Sequence, residues 1–305
     1  MKVSLIATVK DSSDHVGEFL ESIRMQTRAP DEVVVVDGGS TDGTLDILRG
    51  AEGVTVIEEP GANIARGRNV AVTAATHEVI AVSDADCVLS PDWLERLLVP
   101  IERGADVAMG AYRARAETFF QACAAAVAVP DPAELRAGTF MPSARSVAFR
   151  REAFLDAGGY PEWLDRGEDM WLDLQWRRRG ARMELAADAV ADWRVRPSLV
   201  EHWAQYRDYA RHDAIAGMYS SRHALRFGVY AGAAYALTRR GRPLKLAALA
   251  GAFYAAKPLR RTVRLLPPGP KRAGAVAAVP AMMVFTDVAK MAGYLHGLLE
   301  RGRRG

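Results

Sequence analysis

Within the first hundred residues, short apolar runs rich in β-branched side chains alternate with segments of helical spacing. This alternation constrains the fold more than any other feature of the chain. Residues 3–9 and 32–36 have the pattern of buried strands, the second carrying four successive valines. Residues 54–57 and 79–83 continue the series. Between them, residues 14–26 set Val16, Phe19, Leu20 and Ile23 at helical spacing behind Asp14 as N-cap. Residues 41–48, 62–75 and 91–101 are further helices, the last with Pro91 in its first turn. Such alternation builds a Rossmann-like, mostly parallel α/β sheet with helices on both faces. Ligands of such sheets lie beyond the carboxyl ends of the strands.

Residues 106–220 alternate less cleanly, with turn signals at Pro130-Asp131-Pro132, Gly158-Gly159 and Gly180, and read as the second half of the same domain. From Arg222 the composition shifts to Ala, Leu, Gly and Arg. That tail holds 16 Lys+Arg against 2 Asp+Glu, so the preceding residues carry −11 of the total +3. The expected division is a catalytic domain over 1–221 and a basic, apolar helical region over 222–305. An acidic front half excludes nucleic acid as its partner, because phosphate backbones need a basic face. Two cysteines, Cys87 and Cys123, make no disulfide framework and point to a reducing compartment. The N-terminus has no long apolar segment and reads as a first strand, not a signal peptide.

Four constellations carry chemistry. Asp37, at the end of the valine strand, precedes Gly38-Gly39-Ser40, where glycines allow a ligand near the backbone. Together with Ala7, Thr8 and Val9 of the first strand it forms two walls of a nucleotide slot; its simplest alternative is a capped turn. Asn63, Arg66 and Asn69 recur every three residues on one helix face, and Arg66 is placed to reach a phosphate or the acidic cluster, whereas Arg68 reads as solvated. Asp84-Ala85-Asp86 ends a strand in two carboxylates one residue apart. Mg²⁺ and Mn²⁺ prefer carboxylate and phosphate oxygens, so Asp86 is the candidate direct ligand, with Asp84 at the ribose or the metal. Glu168 and Asp169 open a helix, where orphan amides and the dipole hold a carboxylate able to take a proton.

In this order and spacing the four pieces resemble a family 2 glycosyltransferase, an inverting enzyme of the GT-A nucleotide-diphospho-sugar transferase fold. The resemblance covers residues 2–196. It implies that Asp37 binds the nucleobase, that Asp84 and Asp86 bind ribose and metal-diphosphate, and that Asp169 is the catalytic base. It also implies that Arg145 and Ser146, in the segment before Gly158-Gly159-Tyr160, face the cleft between donor and acceptor. The implied donor is a nucleotide-diphosphate sugar and the implied acceptor a glycan or lipid-linked sugar. One departure concerns a His that many relatives carry past the Glu-Asp pair, near the metal or diphosphate. Trp193 stands there in this chain. Arg196, or Tyr206, Tyr209 and Arg211, would then cover the diphosphate.

Three uncharged apolar stretches follow Arg222: residues 227–238, 246–256 and 273–286. None reaches the ~18–20 residues of a spanning helix. Interrupted by Arg239-Arg240, Arg260-Arg261 and Lys271-Arg272, they suit a hairpin lying in an anionic interface at the cytoplasmic face of the membrane, a helical subdomain, or spanning helices whose Lys and Arg snorkel. Two other functions compete. A nucleotidyltransferase would need a basic, Gly-rich loop where Thr8 to Asp14 has one Lys and two Asp. A non-catalytic sugar-nucleotide-binding module would have no use for both Asp86 and Asp169.

Overall fold

Valine-rich segments fold where their pattern places them. A computed structural model describes residues 1–239 and 241–304, so Arg240 and Gly305 lie outside the described residues. Strands β1 (Val3–Val9), β2 (Glu32–Asp37), β3 (Val54–Glu58) and β4 (Val79–Val82) alternate with helices α1 (Val16–Arg24), α2 (Thr44–Arg49) and α3 (Ile64–Ala74). A three-residue strand β5 (Cys87–Leu89) then precedes α4 (Trp93–Glu102). Two end signals differ from expectation. Helix α1 has His15, not Asp14, at its N-cap and no side-chain cap bond. Pro91 lies before α4, whose N-cap is Asp92.

The chain divides into two compact units. The first, residues 1–115 and 130–194, holds the sheet, completed by β6 (Val107–Arg115), β7 (Val147–Arg150) and β8 (Met183–Arg194). The strand order is β3-β2-β1-β4-β7-β6-β8-β5. Parallel pairing joins β3, β2, β1 and β4, and also β6 with β8. By contrast β7 runs antiparallel to β4 and β6, and β5 antiparallel to β8, so the sheet is mixed. Strands β2 and β4 flank β1 and leave the sheet at the same edge, which opens a crevice at their carboxyl ends. Helix α3 packs on β1 and β2, with Ala65, Ala71 and Val72 meeting Ile6, Val34 and Val36 in the core. Gly67 lets it approach: a Cβ there would meet Thr8 Cγ2 at 2.9 Å. Between β7 and β8 stand α6 (Arg151–Ala157) and α7 (Glu168–Arg178), the latter packing Leu172 and Trp176 into the same core.

The second unit, residues 116–129 and 195–305, is helical. It comprises α5 (Phe119–Ala128), α8 (Leu199–Ile215), α9 (Ser220–Arg239), α10 (Arg242–Leu265) and α11 (Pro270–Arg304). The composition change at Arg222 therefore falls inside this unit. The uncharged stretches are short, as expected, but the helix that carries residues 273–286 runs well beyond them. Among the described residues α11 is the one helix long and apolar enough to cross a membrane. Counting uncharged residues missed it because its interior charge is buried and paired: Asp287 accepts from Arg226 Nε (2.9 Å), Tyr230 (3.1 Å) and Tyr254 (2.8 Å). The same helix is fastened to α8. His202 Nε2 lies 2.9 Å from Thr286 Oγ1, and Arg211 forks onto Glu300.

Gly293 and Gly297 let α11 touch the α8 backbone, since a Cβ on either would overlap the carbonyl oxygen of Arg207 or Arg211. Gly293→Ala should therefore destabilise the protein by roughly 1–3 kcal/mol through overpacking. Gly228→Ala, in a helix interior with open space around it, should stabilise by about 0.5–1 kcal/mol. Thermal unfolding of the pair checks this, and equal midpoints would contradict the close packing.

Candidate active site

The carboxyl end of β2 delivers Asp37, which is buried. Its Oδ1 accepts from the amides of Gly39 and Ser40 (2.9 Å each) and its Oδ2 from Ser40 Oγ (2.5 Å). The carboxylate thus shapes its own turn. Gly39, at φ 89°, packs against Pro60 and brings the loops after β2 and β3 together. The loop after β1, which follows Ala7, Thr8 and Val9, is tied to the same turn. Asp11 Oδ1 accepts from Thr41 N (2.8 Å) and Ser40 Oγ accepts from Asp11 N (2.9 Å). Asp11 has a φ of 47°, a costly conformation for a non-glycine residue that the surrounding bonds enforce.

The central feature of the crevice is Arg68, which was expected in solvent and is 3% exposed. Its Nη2 lies 2.6 Å from Asp84 Oδ1, its Nη1 pairs with Glu168, and its guanidinium stands over the Tyr160 ring at 5.3 Å. Asp84, expected at the ribose or metal, is thus ion-paired. Burial works against its charge, but Arg68 and then Arg145 outweigh that and hold its carboxyl below the ordinary range. Burial pushes Glu168 up to about 7, with Arg68 opposing and Asp169 adding to the rise.

Asp86 accepts from the indole N–H of Trp193 (3.1 Å), which reaches it from the paired strand β8. The Trp193 ring also carries the Arg145 guanidinium at 4.3 Å, and Tyr112 lies 5.2 Å from that cation. Arg145 Nε is 3.9 Å from Asp84, and its Nη1 donates to Ser143 Oγ (2.9 Å). Ser143 Oγ and the Ala144 amide in turn lie 3.4 Å from Asp169 Oδ2, whose Oδ1 accepts from Met170 N (2.8 Å). Asp84, Asp86, Glu168 and Asp169 are therefore joined in one network through Arg68, Arg145, Ser143 and Trp193. Asp37 leaves the same sheet edge from β2, two strands away from β4 at ~4.8 Å per strand. One turn beyond Asp169, Asp173 is buried, and burial together with Asp169 raises its carboxyl well above the ordinary range.

Several expected residues do other work. Asn63 caps α3, accepting from Arg66 N (2.9 Å), and donates to Glu162 O (2.7 Å) and Asp165 (3.1 Å). Asn69 donates to Tyr160 O and Glu162 (2.9 Å each). Both pin the loop ahead of α7 to α3. Arg66 is exposed and pairs with Glu59 (2.6 Å) and Glu162 (3.7 Å), not with the acidic cluster. Ser146, expected at the cleft, is fully buried, accepting from Trp93 Nε1 (2.8 Å) and donating to Ala189 O (3.0 Å). Arg196 is an exposed residue of the second unit. So are Tyr206, Tyr209 and Arg211 residues of that unit, with Arg211 held by Glu300. One signal for Arg68 was present: it shares the helical face of Ala65, Ala71 and Val72, all buried.

Residues 68–302 match glycosyl transferase family 21, and residues 4–122 match glycosyl transferase family 2. The chain is 28% identical over 223 residues to the succinoglycan biosynthesis protein ExoA of Rhizobium meliloti, covering 66% of each. It is 31% identical over 181 residues to the uncharacterized glycosyltransferase Rv0539 of Mycobacterium tuberculosis, covering 58% of this chain and 76% of that one. With two other curated relatives the match spans 32% and 29% of their length. In fold it resembles the mannosyltransferase PcManGT of Pyrobaculum calidifontis, solved in complex with GDP-Man and Mn²⁺. There the TM-score is 0.61 at 21% identity, covering 98% of this chain and 88% of that one.

Proposed function

Because this chain belongs to glycosyl transferase family 21, with a family 2 segment at its N-terminal end and the GT-A fold, we propose that it moves a sugar from a nucleotide-diphosphate donor to an acceptor hydroxyl with inversion. The observation that carries this reading is the meeting of Asp84, Asp86, Glu168 and Asp169 in one network of hydrogen bonds, ion pairs and a cation–π contact at the carboxyl edge of the sheet. Asp169 is the general base. Its Oδ1 is steadied by the Met170 amide and its Oδ2 faces Ser143, so an acceptor hydroxyl can give up its proton there as it attacks the anomeric carbon. Direct displacement needs one base only, and attack from the face opposite the diphosphate inverts the configuration. Glu168, committed to Arg68, is a poor alternative base.

The chemistry of the donor set supports a divalent cation held in part by substrate. Among the described residues no three His, Cys, Asp or Glu side chains gather to hold a metal. Mg²⁺ and Mn²⁺ commonly use one or two carboxylates plus phosphate oxygens and water. Asp86 fits as that carboxylate, and Asp84, bound to Arg68, does not. When bound, the cation supplies neutralisation of charge on the leaving diphosphate. Arg145, held between two aromatic rings, adds a fixed positive charge beside it. Ala7, Thr8, Val9, Asp37 and Gly39 form the nucleoside wall. A thermal-shift screen of UDP-, GDP- and TDP-sugars with Mn²⁺ tests the reading, because ligand binding raises apparent stability by mass action. No stabilisation by any donor would count against it.

The acceptor is a glycan or lipid-linked sugar of cell-envelope polysaccharide or glycolipid synthesis, met at the cytoplasmic face of the membrane. The second unit supports a peripheral attachment. On α10, Leu246, Leu249 and Phe253 are exposed, Phe253 by 85%, and Leu225 and Val229 are exposed on α9. Residues 220–286 hold 12 Lys+Arg and no Asp or Glu. Apolar side chains among a local excess of cations suit an anionic interface. The protein should sediment with vesicles containing phosphatidylglycerol and be released by salt. Replacing Leu246, Leu249 and Phe253 with Ser should abolish sedimentation. Equal binding to neutral vesicles would refute the electrostatic part.

A further inference from the structure

We propose that Arg68 is a positioning residue of the transferase reaction: its guanidinium is a strut that sets the donor-side Asp84 and the helix bearing the base at a fixed separation. This inference rests on the glycosyltransferase reading above. Arg68 belongs to neither loop that it joins. It stands on α3, while Asp84 follows β4 and Glu168 opens α7. Each terminal nitrogen serves a different carboxylate, Nη2 to Asp84 and Nη1 to Glu168, and Tyr160 lies against the guanidinium. The side chain of Arg68 is 4% exposed, so water cannot substitute for either partner.

Stability alone is a weak reason for such a group. A buried ion pair is often no better for folding than well-packed apolar side chains of the same volume. What this one supplies is geometry. Asp169 is the next residue after Glu168, so any turn of the first residues of α7 displaces the base. A displacement of about 1 Å from attack geometry can cost on the order of 10²-fold in rate. The seats of Asp86 on the Trp193 indole N–H and of Arg145 on the Trp193 and Tyr112 rings are built without Arg68, which meets Arg145 only through the 3.9 Å contact of Arg145 with Asp84. Loss of the strut should therefore appear in kcat much more than in KM for the donor. The planar fork also matters, since an ammonium is a point charge without two divergent N–H edges.

The test compares wild type, Arg68→Lys and Glu168→Gln, all as the full chain. The measurements are thermal midpoint, kcat and donor KM for hydrolysis of UDP-GlcNAc and GDP-mannose with Mn²⁺. Arg68→Lys keeps the charge but cannot serve both carboxylates, so it should fold with a lowered midpoint. It should keep KM within about 3-fold and lose on the order of 10²-fold in kcat. Glu168→Gln keeps an oxygen for Arg68 and removes the charge, and its kcat should fall by about 10-fold at unchanged KM. A folded Arg68→Lys protein with wild-type kcat overturns the proposal. If Arg68→Lys does not fold, Glu168→Gln decides: a reduced kcat at constant KM supports the strut and a wild-type kcat overturns it. A wild type that neither hydrolyses nor is stabilised by any of the UDP-, GDP- and TDP-sugars overturns the glycosyltransferase reading and this inference with it.

Discussion

Asp169→Asn should lower sugar transfer by ~10²–10⁴-fold, the usual span for removal of a general base, and leave nucleoside-diphosphate binding within a few-fold of wild type. The amide is nearly isosteric with the carboxylate and can still accept from Met170 N and face Ser143 Oγ, so the helix start is undisturbed. What it lacks is basicity. The other carboxylates of the crevice are engaged, Glu168 and Asp84 by Arg68 and Asp86 by the Trp193 indole N–H. Release of nucleoside diphosphate in a transfer assay reads the rate. Calorimetric titration with the same nucleotide reads binding. Full turnover by the variant would show that another group takes the proton.

Asp86→Ala should abolish the part of donor affinity that depends on Mg²⁺ or Mn²⁺. Loss of an outer partner of a metal ligand already costs 10–100-fold in metal affinity, so loss of the direct carboxylate should reach ~10²-fold or more. The effect is specific, because Asp84 is bound to Arg68 and cannot take over without breaking that pair. Titrations with and without Mn²⁺ separate the contributions. Wild type should gain affinity on adding the ion, whereas the variant should bind equally weakly in both conditions. A variant that keeps the gain would remove Asp86 from the cation's surroundings.

The parallel half of the sheet was legible almost residue by residue. Residues 3–9 match β1, and residues 32–36 and 79–83 differ from β2 and β4 by one residue at one end. Strands buried on both faces need continuous apolar β-branched runs, and such runs have few other uses. The three-residue β5 and the long β8 were not foreseen. A strand of three residues is too short to show a period, and β8 mixes buried and half-buried positions around a register shift opposite Gly110 and Ala111. In the tail, uncharged run lengths understate α11, because a buried, paired Asp287 interrupts the run without ending the helix.

At the site the same division holds. Carboxylates at strand ends and at a helix start announce themselves locally, since their positions follow from the strand and helix patterns alone. Asp37, Asp84, Asp86, Glu168 and Asp169 could all be marked from the order of residues. Their partners could not. Arg68 meets Glu168 across 100 positions, and Trp193 meets Asp86 across 107. An arginine on a helix belongs in solvent unless two carboxylates wait for it, and a tryptophan in a strand is ordinary core unless its N–H finds an acceptor. Local periodicity encodes which groups arrive at the sheet edge. Which charges meet there, and which remain for substrate, depends on long-range packing, because pairing in a low-dielectric crevice is a property of neighbours in space.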